Sequence, residues 1–440
     1  MKKIFVSAGI VAIGTSRLFA DAYAPDLTAT DATKLWTLSG TLRGFYDDNY
    51  TTAHSDASGK RSSWGFELTP SLSIIVPLQQ TELGLKYTYG LYYYQDRENT
   101  GSNPIDQTHE ADLWIDHAFT ERWEAKIADS FIDSQEPQLT ASGTILPYRT
   151  EGNNIVNTGT ITVHTDWSKL FSTDAGYQNT YVQYQNSGGT LEDAFEGKPS
   201  LEGYLGQIDE LVWLNLNYQF QPDLTFFVGY QFGINNFTAG EPIAFVPTGG
   251  GNFYYSDSLN SMSHYLYVGA NYTVTEDLSV SARVGVQLSD NYNLPSFDDQ
   301  SAWSYQPYAQ IAATYTYLPG SYVQVGFTQS ENSSDTPNPD SSNGSIALYE
   351  ESSVLYGSIN HQITPDLLAS LVGHYQYSTY QGGANDGENQ SYYDAGFNLS
   401  YTIDPHLSVE IGYNFDYVTA SAGLQSYSRN REYIGVTGSY

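Results

Sequence analysis

Four segments of the chain repeat one pattern: "LNYQFQPDLTFFVGYQF" from Leu216, "ANYTVTEDLSVSARVGV" from Ala270, "INHQITPDLLASLVGHY" from Ile359 and "LSYTIDPHLSVEIGYNF" from Leu399. In the first, Leu224, Phe226, Val228, Tyr230, Phe232 and Ile234 alternate with Thr225, Gly229, Gln231, Gly233 and Asn235. Before the Pro222-Asp223 step, Val212, Leu214, Leu216, Tyr218 and Phe220 alternate with Asn215, Asn217 and Gln219. A period of two puts one apolar and one polar face on each arm, so each segment is a pair of antiparallel strands joined by a tight turn. Val228 is then expected to face the apolar side and Gln231 the polar one, with an added arginine costly at Val228 and tolerated at Gln231.

The same reading along the whole chain predicts about eighteen strands. They begin near Trp36, Ser63, Thr81, Glu110, Trp123, Asn154, Leu170, Leu205, Leu224, Met262, Leu278, Trp303, Ser321, Val354, Leu367, Tyr392, Leu407 and Asn430. The connections alternate. Short ones, such as Glu121-Arg122, Pro319-Gly320 and Pro365-Asp366, are followed by polar loops of about 10 to 25 residues, such as Asp47 to Ser62, Asn186 to Glu202 and Ser330 to Leu348. A soluble sandwich has no reason to keep every second connection short, whereas a barrel inserted from one side of an outer membrane does. The expected fold is therefore all-β: a transmembrane antiparallel up-and-down barrel of sixteen to eighteen strands over residues 36 to 440, with apolar residues toward lipid and polar ones toward a wet lumen. Closure removes the unpaired edges that an open sheet of this size would expose.

Composition narrows the function. The N-terminus "MKKIFVSAGIVAIGTSRLFADAYAPD" pairs Lys2 and Lys3 with an apolar stretch and the small-residue site Ala20-Asp21-Ala22, the pattern of a signal peptide over residues 1–22. Residues 23–35 then form a short periplasmic segment. The absence of cysteine excludes disulfides, thiolate metal sites and cysteine nucleophiles. With 17 basic residues against 49 acidic ones, the net charge of −32 repels phosphate backbones, so no nucleic-acid partner is expected. Tyr218, Tyr272 and Tyr401 share an offset before a short turn, where an aromatic belt at the inner interface places them.

The last segment, "SRNREYIGVTGSY", ends on Tyr440 with Ile434 and Val436 on the same face. This terminal aromatic strand resembles the assembly signal of bacterial outer-membrane proteins, which implies the barrel-assembly machinery and outer-membrane lipids as partners. With the leader and the strand count, the chain from residue 36 to 440 resembles the β-barrel porins of Gram-negative outer membranes, and also barrels associated with exopolysaccharide systems. The first resemblance implies an outer-membrane channel for passive diffusion of small hydrophilic solutes or ions, and leaves room for a homo-trimer. About a dozen residues between the leader and Trp36 leave no space for a plug or passenger domain, so an open lumen is expected.

By alternation, the lumen-facing charges are Glu67, Glu110, Asp112, Asp116, Asp209, Asp394, Glu410 and Asp416 against Arg43, Lys86, Lys126 and Arg283. Acids outnumber bases, which favours cations. The stretch from Ile132 to Asn153 is the third outer loop. In porins this loop commonly folds inward, so by resemblance it is the constriction candidate, with Asp133, Glu136, Arg149 and Glu151 facing the opening; an extracellular cap is the alternative. Ile145, Leu146, Pro147 and Tyr148 are unusual in a solvated loop and suit packing on the wall. Catalysis is not expected. Asp116 and His117 point to opposite faces of a strand, and the other histidines show neither metal spacing nor a nucleophile motif. No cofactor or metal is implied. The competing readings are a barrel for exopolysaccharide export or assembly, for which Trp114 and Trp213 are candidate sugar-stacking residues, and a structural or adhesive surface barrel.

Overall fold

A computed structural model describes residues 35–54, 59–136, 139–140, 143–144, 146–150, 152–247, 251–342, 344–421 and 426–440. The expected leader, and nearly all of the segment that follows it, lie outside the described residues, as do Ile145 and Glu151. Eighteen strands form the wall: β1 (Trp36–Asp47), β2 (Ser63–Pro77), β3 (Thr81–Tyr94), β4 (Ile105–Thr120), β5 (Trp123–Ser134), β6 (Asn154–Asp166), β7 (Phe171–Tyr184), β8 (Gln207–Gln221), β9 (Leu224–Phe237), β10 (Ser261–Thr275), β11 (Leu278–Asp290), β12 (Trp303–Leu318), β13 (Ser321–Ser333), β14 (Ala347–Thr364), β15 (Leu367–Gly382), β16 (Asn389–Asp404), β17 (Leu407–Ala420) and β18 (Tyr427–Ser439). Each pairs antiparallel with its chain neighbours. β18 returns to β1 in the register Ser39↔Ser439 through Asp47↔Arg431, so the sheet is closed. Leu38 and Tyr440 seal the seam with reciprocal backbone bonds of 3.1 and 2.8 Å, and the rings of Trp36 and Tyr440 lie 5.7 Å apart.

The four repeated segments are hairpins β8–β9, β10–β11, β14–β15 and β16–β17. In every one the register slips by one residue just before the turn, at Gln219/Gln221, Thr273/Thr275, Gln362/Thr364 and Thr402/Asp404. The slip is a bulge that matches the turn to the right-handed twist of the strands, which explains why the same residue types recur there. Turn carbonyls then join neighbouring hairpins: Asp223 accepts from the Thr273 amide at 2.8 Å, and Asp366 from the Thr402 amide at 2.7 Å.

Above the apolar belt several strands run further out than alternation predicts. β4 begins at Ile105 rather than Glu110, β14 at Ala347 rather than Val354, β16 at Asn389 rather than Tyr392, and β18 at Tyr427 rather than Asn430. Outside hydrocarbon both faces of a strand are wet, so pairing continues while the apolar signal stops. Leu205, expected to open a strand, ends a short helix over Leu201–Leu205 instead. At the outer rim β13 leaves β12 above the pair Ala309↔Gln329 and stays only with β14. It leans over the inner face of β9 to β12: Glu331 exchanges two bonds with Gln287, and Ser333 accepts from Asn235 at 2.9 Å. Loop residues Ile243, Val246, Tyr254, Leu259 and Ile346 pack with Phe237 and Leu348 into an apolar core over this side of the mouth.

Candidate pore lumen and constriction loop

The inner and outer faces follow from register. Leu42, Leu68, Leu85 and Leu113 are exposed on one side, so Arg43, Glu67, Lys86, Glu110, Asp112 and Asp116 point to the other. By the same alternation Lys126, Asp209, Arg283, Asp394, Glu410 and Asp416 face inward, opposite Ile127, Val212, Val284, Tyr393, Ile411 and Tyr417. Ile434, Val436 and Tyr440 are exposed together on the outer face of β18. Trp114 and Trp213 both face inward, where they lie over Gly84 and Gly176; a Cβ at either glycine would collide with the indole.

The inward charges are not equivalent. Arg43 donates to Glu67 at 2.9 Å and to Glu410 at 2.5 Å, with its guanidinium 5.0 Å above the Tyr433 ring. Glu67 also accepts from Arg431 at 3.2 Å. Arg283 donates to the Gln231 amide oxygen at 3.2 Å and lies over Tyr267. Lys86 stands opposite Asp112, and Lys126 opposite Asp116. Asp394 and Asp416 stand opposite each other on β16 and β17, with Asp416 3.9 Å from Arg429.

The loop between β5 and β6 enters the barrel. Leu146 is buried among Val156, Val182, Tyr184 and Leu205, on the side of β6 and β7. Tyr148 packs on Tyr427, its hydroxyl accepts from Gln390 at 3.0 Å, and Tyr427 donates to the Pro147 carbonyl at 2.7 Å, on the side of β16 and β18. The loop therefore bridges walls that lie far apart around the ring. Its charges fasten it. Glu136 accepts from Arg429 at 2.6 and 3.2 Å, and Arg429 also donates to Asp47 at 2.7 and 2.9 Å; Arg429 and Asp47 are 1 and 0 % exposed. Arg149 bonds Asp106, which accepts in addition from Arg97 at 2.6 Å, and the Arg149 amide donates to Thr52 of the first loop at 3.1 Å. Burial alone would raise the Glu136 carboxyl, but Arg429 and Arg149 overcome it and hold the group well below the usual carboxylate range. Burial likewise works against the Arg149 charge, and Tyr94, Glu136 and Asp106 outweigh it, raising its pKa.

Of the four residues expected to face the opening, Glu136 and Arg149 are thus ion-paired. Asp133 is not in the loop: it belongs to β5, between His109 and Ile155, on the outward side with Ile127. Pairing with the first residues of β6 extends β5 past the end of its apolar pattern. Alternation did not single out Asp47, Arg97, Asp106, Arg429 and Arg431, although "SRNREYIGV" carries the signal: Arg429, Arg431 and Tyr433 share a face opposite Ile434 and Val436.

On the wall from β13 to β15 the carboxylates lie beside no cationic side chain among the described residues. Glu331 accepts from the Ser304 hydroxyl at 2.5 Å, Glu351 from Gln306 at 2.6 Å and Gln381 at 3.2 Å, and Asp335 from the Tyr380 hydroxyl at 2.7 Å. Burial pushes Asp335 above its usual range. Among the described residues no group of three or more His, Asp and Glu is arranged to hold a metal.

No curated protein matches the chain. Among solved structures it is similar to Pseudomonas aeruginosa OccK11 (OpdR), with 14 % identity and a TM-score of 0.40 over 92 % of this chain and 96 % of that one. It is also similar to Acinetobacter baumannii OccAB4 and to the Pseudomonas aeruginosa outer membrane protein opdK, each with 11 % identity and a TM-score of 0.41 over 92 % of this chain and 99 % of the other. The family model described as Putative beta-barrel porin 2 matches residues 38–440, essentially the whole wall from β1 to β18, and the chain belongs to that family of outer-membrane barrels.

Proposed function

We propose that this porin passes small hydrophilic solutes or ions by passive diffusion and prefers cations. The observation that carries the preference is the imbalance left after pairing. Arg43, Arg97, Arg149, Arg429 and Arg431 each lie against at least one carboxylate. Glu331, Asp335 and Glu351, by contrast, are held by hydroxyl and amide donors. A paired charge projects little beyond its partner, whereas an uncompensated carboxylate beside a low-dielectric wall draws cations over roughly 8 Å at physiological salt. The bridging third loop supports a lumen narrowed near β16 to β18, so passage is for small solutes. Porin family and barrel fold suggest a channel rather than an enzyme.

The test is the reversal potential of purified protein in a planar bilayer under a salt gradient. A cation-selective potential supports the reading, and an anion-selective one overturns the charge argument. A folded barrel that carries no current would move the assignment to a structural, adhesive or polysaccharide-assembly role.

A further inference from the structure

The outward face of the barrel is not uniform. On β9 to β12 the belt reads Val228↔Val268↔Val284↔Ala309, with Tyr230↔Leu266↔Val286 above it. On β4 to β8 one row reads Leu113↔Asp129↔Gly159↔Asn179↔Glu210, which continues to Ile234 of β9, six residues beyond Val228, and Asn157 stands in the row above. The row below is Ile115↔Ile127↔Ile161↔Tyr177↔Val212, and Leu113, Ile127 and Ile161 are 45, 41 and 46 % exposed to the surroundings. Asp129 is therefore framed by lipid-facing aliphatic residues. Glu432 also points outward, but among Tyr413, Tyr46 and Trp64, at the aromatic rim.

A carboxylate and two amides facing hydrocarbon are costly, and such groups persist where protein covers them. The internal bonds satisfy only part of this set. Asn157 donates to Asp129 Oδ1 at 3.1 Å and to the Ser130 carbonyl at 3.3 Å, and Glu210 accepts from the Tyr177 hydroxyl at 3.0 Å. Asp129 Oδ2 lies over Gly159, 3.3 Å from where a Cβ would stand, with no hydrogen-bond donor among the described residues. Around the polar groups the outward positions are mixed: Ala111, Ala125, Gly159, Thr173 and Ala175 are small, whereas Phe131, Tyr177, Tyr181 and Ile208 are bulky.

We infer that the outer face of β5 to β8 is the contact surface between copies of this chain in the membrane. The occupant is a second copy because the patch carries both halves of the bonds it needs: the amide of Asn179, which bonds Tyr177 and has a second N–H, and acceptors on Asp129 and Glu210. Cyclic symmetry brings the same patch of each copy toward the axis, so Asn179 of one copy meets Asp129 of another. The inference concerns assembly and is independent of ion preference.

The chain contains no cysteine, so single introduced thiols report proximity cleanly. Asn157→Cys and Asn179→Cys should give covalent dimers with a short bis-maleimide in intact outer membranes, while Val268→Cys and Ile411→Cys, on the other faces, should not. Gly159→Trp should lower the cross-linked fraction of Asn179→Cys at least tenfold while the barrel keeps its heat-modifiable mobility. Equal cross-linking at Val268→Cys, or none at any site together with a monomer mass in mild detergent, would overturn the assignment. So would protection of the Asn179→Cys thiol from labelling by lipopolysaccharide added to the purified monomer.

Discussion

From β18 through β1 to β4 each guanidinium lies against at least one carboxylate, and the network runs on through Glu136 and Arg149 into the third loop. From β13 to β15 the carboxylates lie against Ser304, Gln306, Gln381 and Tyr380. The first wall spends its charge on holding a loop in place; the second holds its charge with neutral hydroxyl and amide donors. The two carry carboxylates alike, so a tally of acidic residues says little about selectivity until pairing is known. The third loop illustrates this, since its Glu136 and Arg149, expected to set the field at the opening, are instead its anchors.

Breaking the paired wall should have the largest effect. Arg429→Leu leaves Asp47, Glu136 and Asp416 buried around an apolar side chain, and loss of one partner of a buried pair costs about 3–5 kcal/mol. Glu351→Gln, which keeps an acceptor for Gln306, should cost under about 1 kcal/mol. Denaturant unfolding in detergent, followed by gel mobility, measures both, and equal costs would erase the distinction between the walls. Next in size is the lipid face. Val228→Arg should destabilise insertion by roughly 2–4 kcal/mol, while Ala128→Arg, on the open inner side of β5, should be tolerated. Gln231→Arg is no longer a neutral control: Gln231 faces inward as expected, but its amide accepts from Arg283 and from the Tyr308 hydroxyl, so the substitution sets two guanidinium groups together.

These contrasts also show what could be read from the chain. Period-two alternation located the lower barrel because hydrocarbon enforces it, and eleven of the expected strand starts, from Trp36 to Leu407, coincide with the structure. Hydrocarbon imposes nothing above the belt. There β4, β14, β16 and β18 extend unannounced, β13 leans inward, and an apolar core forms from residues as distant in sequence as Ile243 and Ile346. Facing was legible at each of the twelve inward charges, whereas partners such as Arg43 with Glu410, separated along the chain by most of the barrel, depend on closure of the ring. Arg429 and Arg431 could have been placed by the same parity. That Glu136 finds Arg429 could not, because the path of a loop across a lumen has no period.

Selectivity separates the walls more gently. The double change Asp335→Asn with Glu351→Gln should shrink the cation-selective reversal potential, since it removes carboxylates held by neutral donors. Substituting Glu136 by Gln should alter stability and loop-dependent conductance first, because its charge is already matched by Arg429. An unchanged potential in the double variant would mean that ions pass elsewhere in the lumen.

The smallest expected effect is on pH response, and it divides the two walls most finely. Asp335 has its carboxyl raised by burial, so the folded protein binds that proton more tightly than the unfolded chain; the linked stability is present below the ordinary carboxylate value and is lost as pH rises through the raised one. Glu136 is shifted the other way, and its contribution is present above the ordinary value and lost only as pH falls through the lowered one. Acidifying from about pH 7 to about pH 4 should therefore protonate Asp335, with Glu350 and Tyr380 as its titratable neighbours, while the bond from Glu136 to Arg429 persists. Cation preference should fade across that window with unitary conductance nearly constant. Reversal potential and single-channel amplitude recorded together decide it: amplitude that jumps as preference fades would mean that the third loop is released by the same protons, and that the walls are not independent.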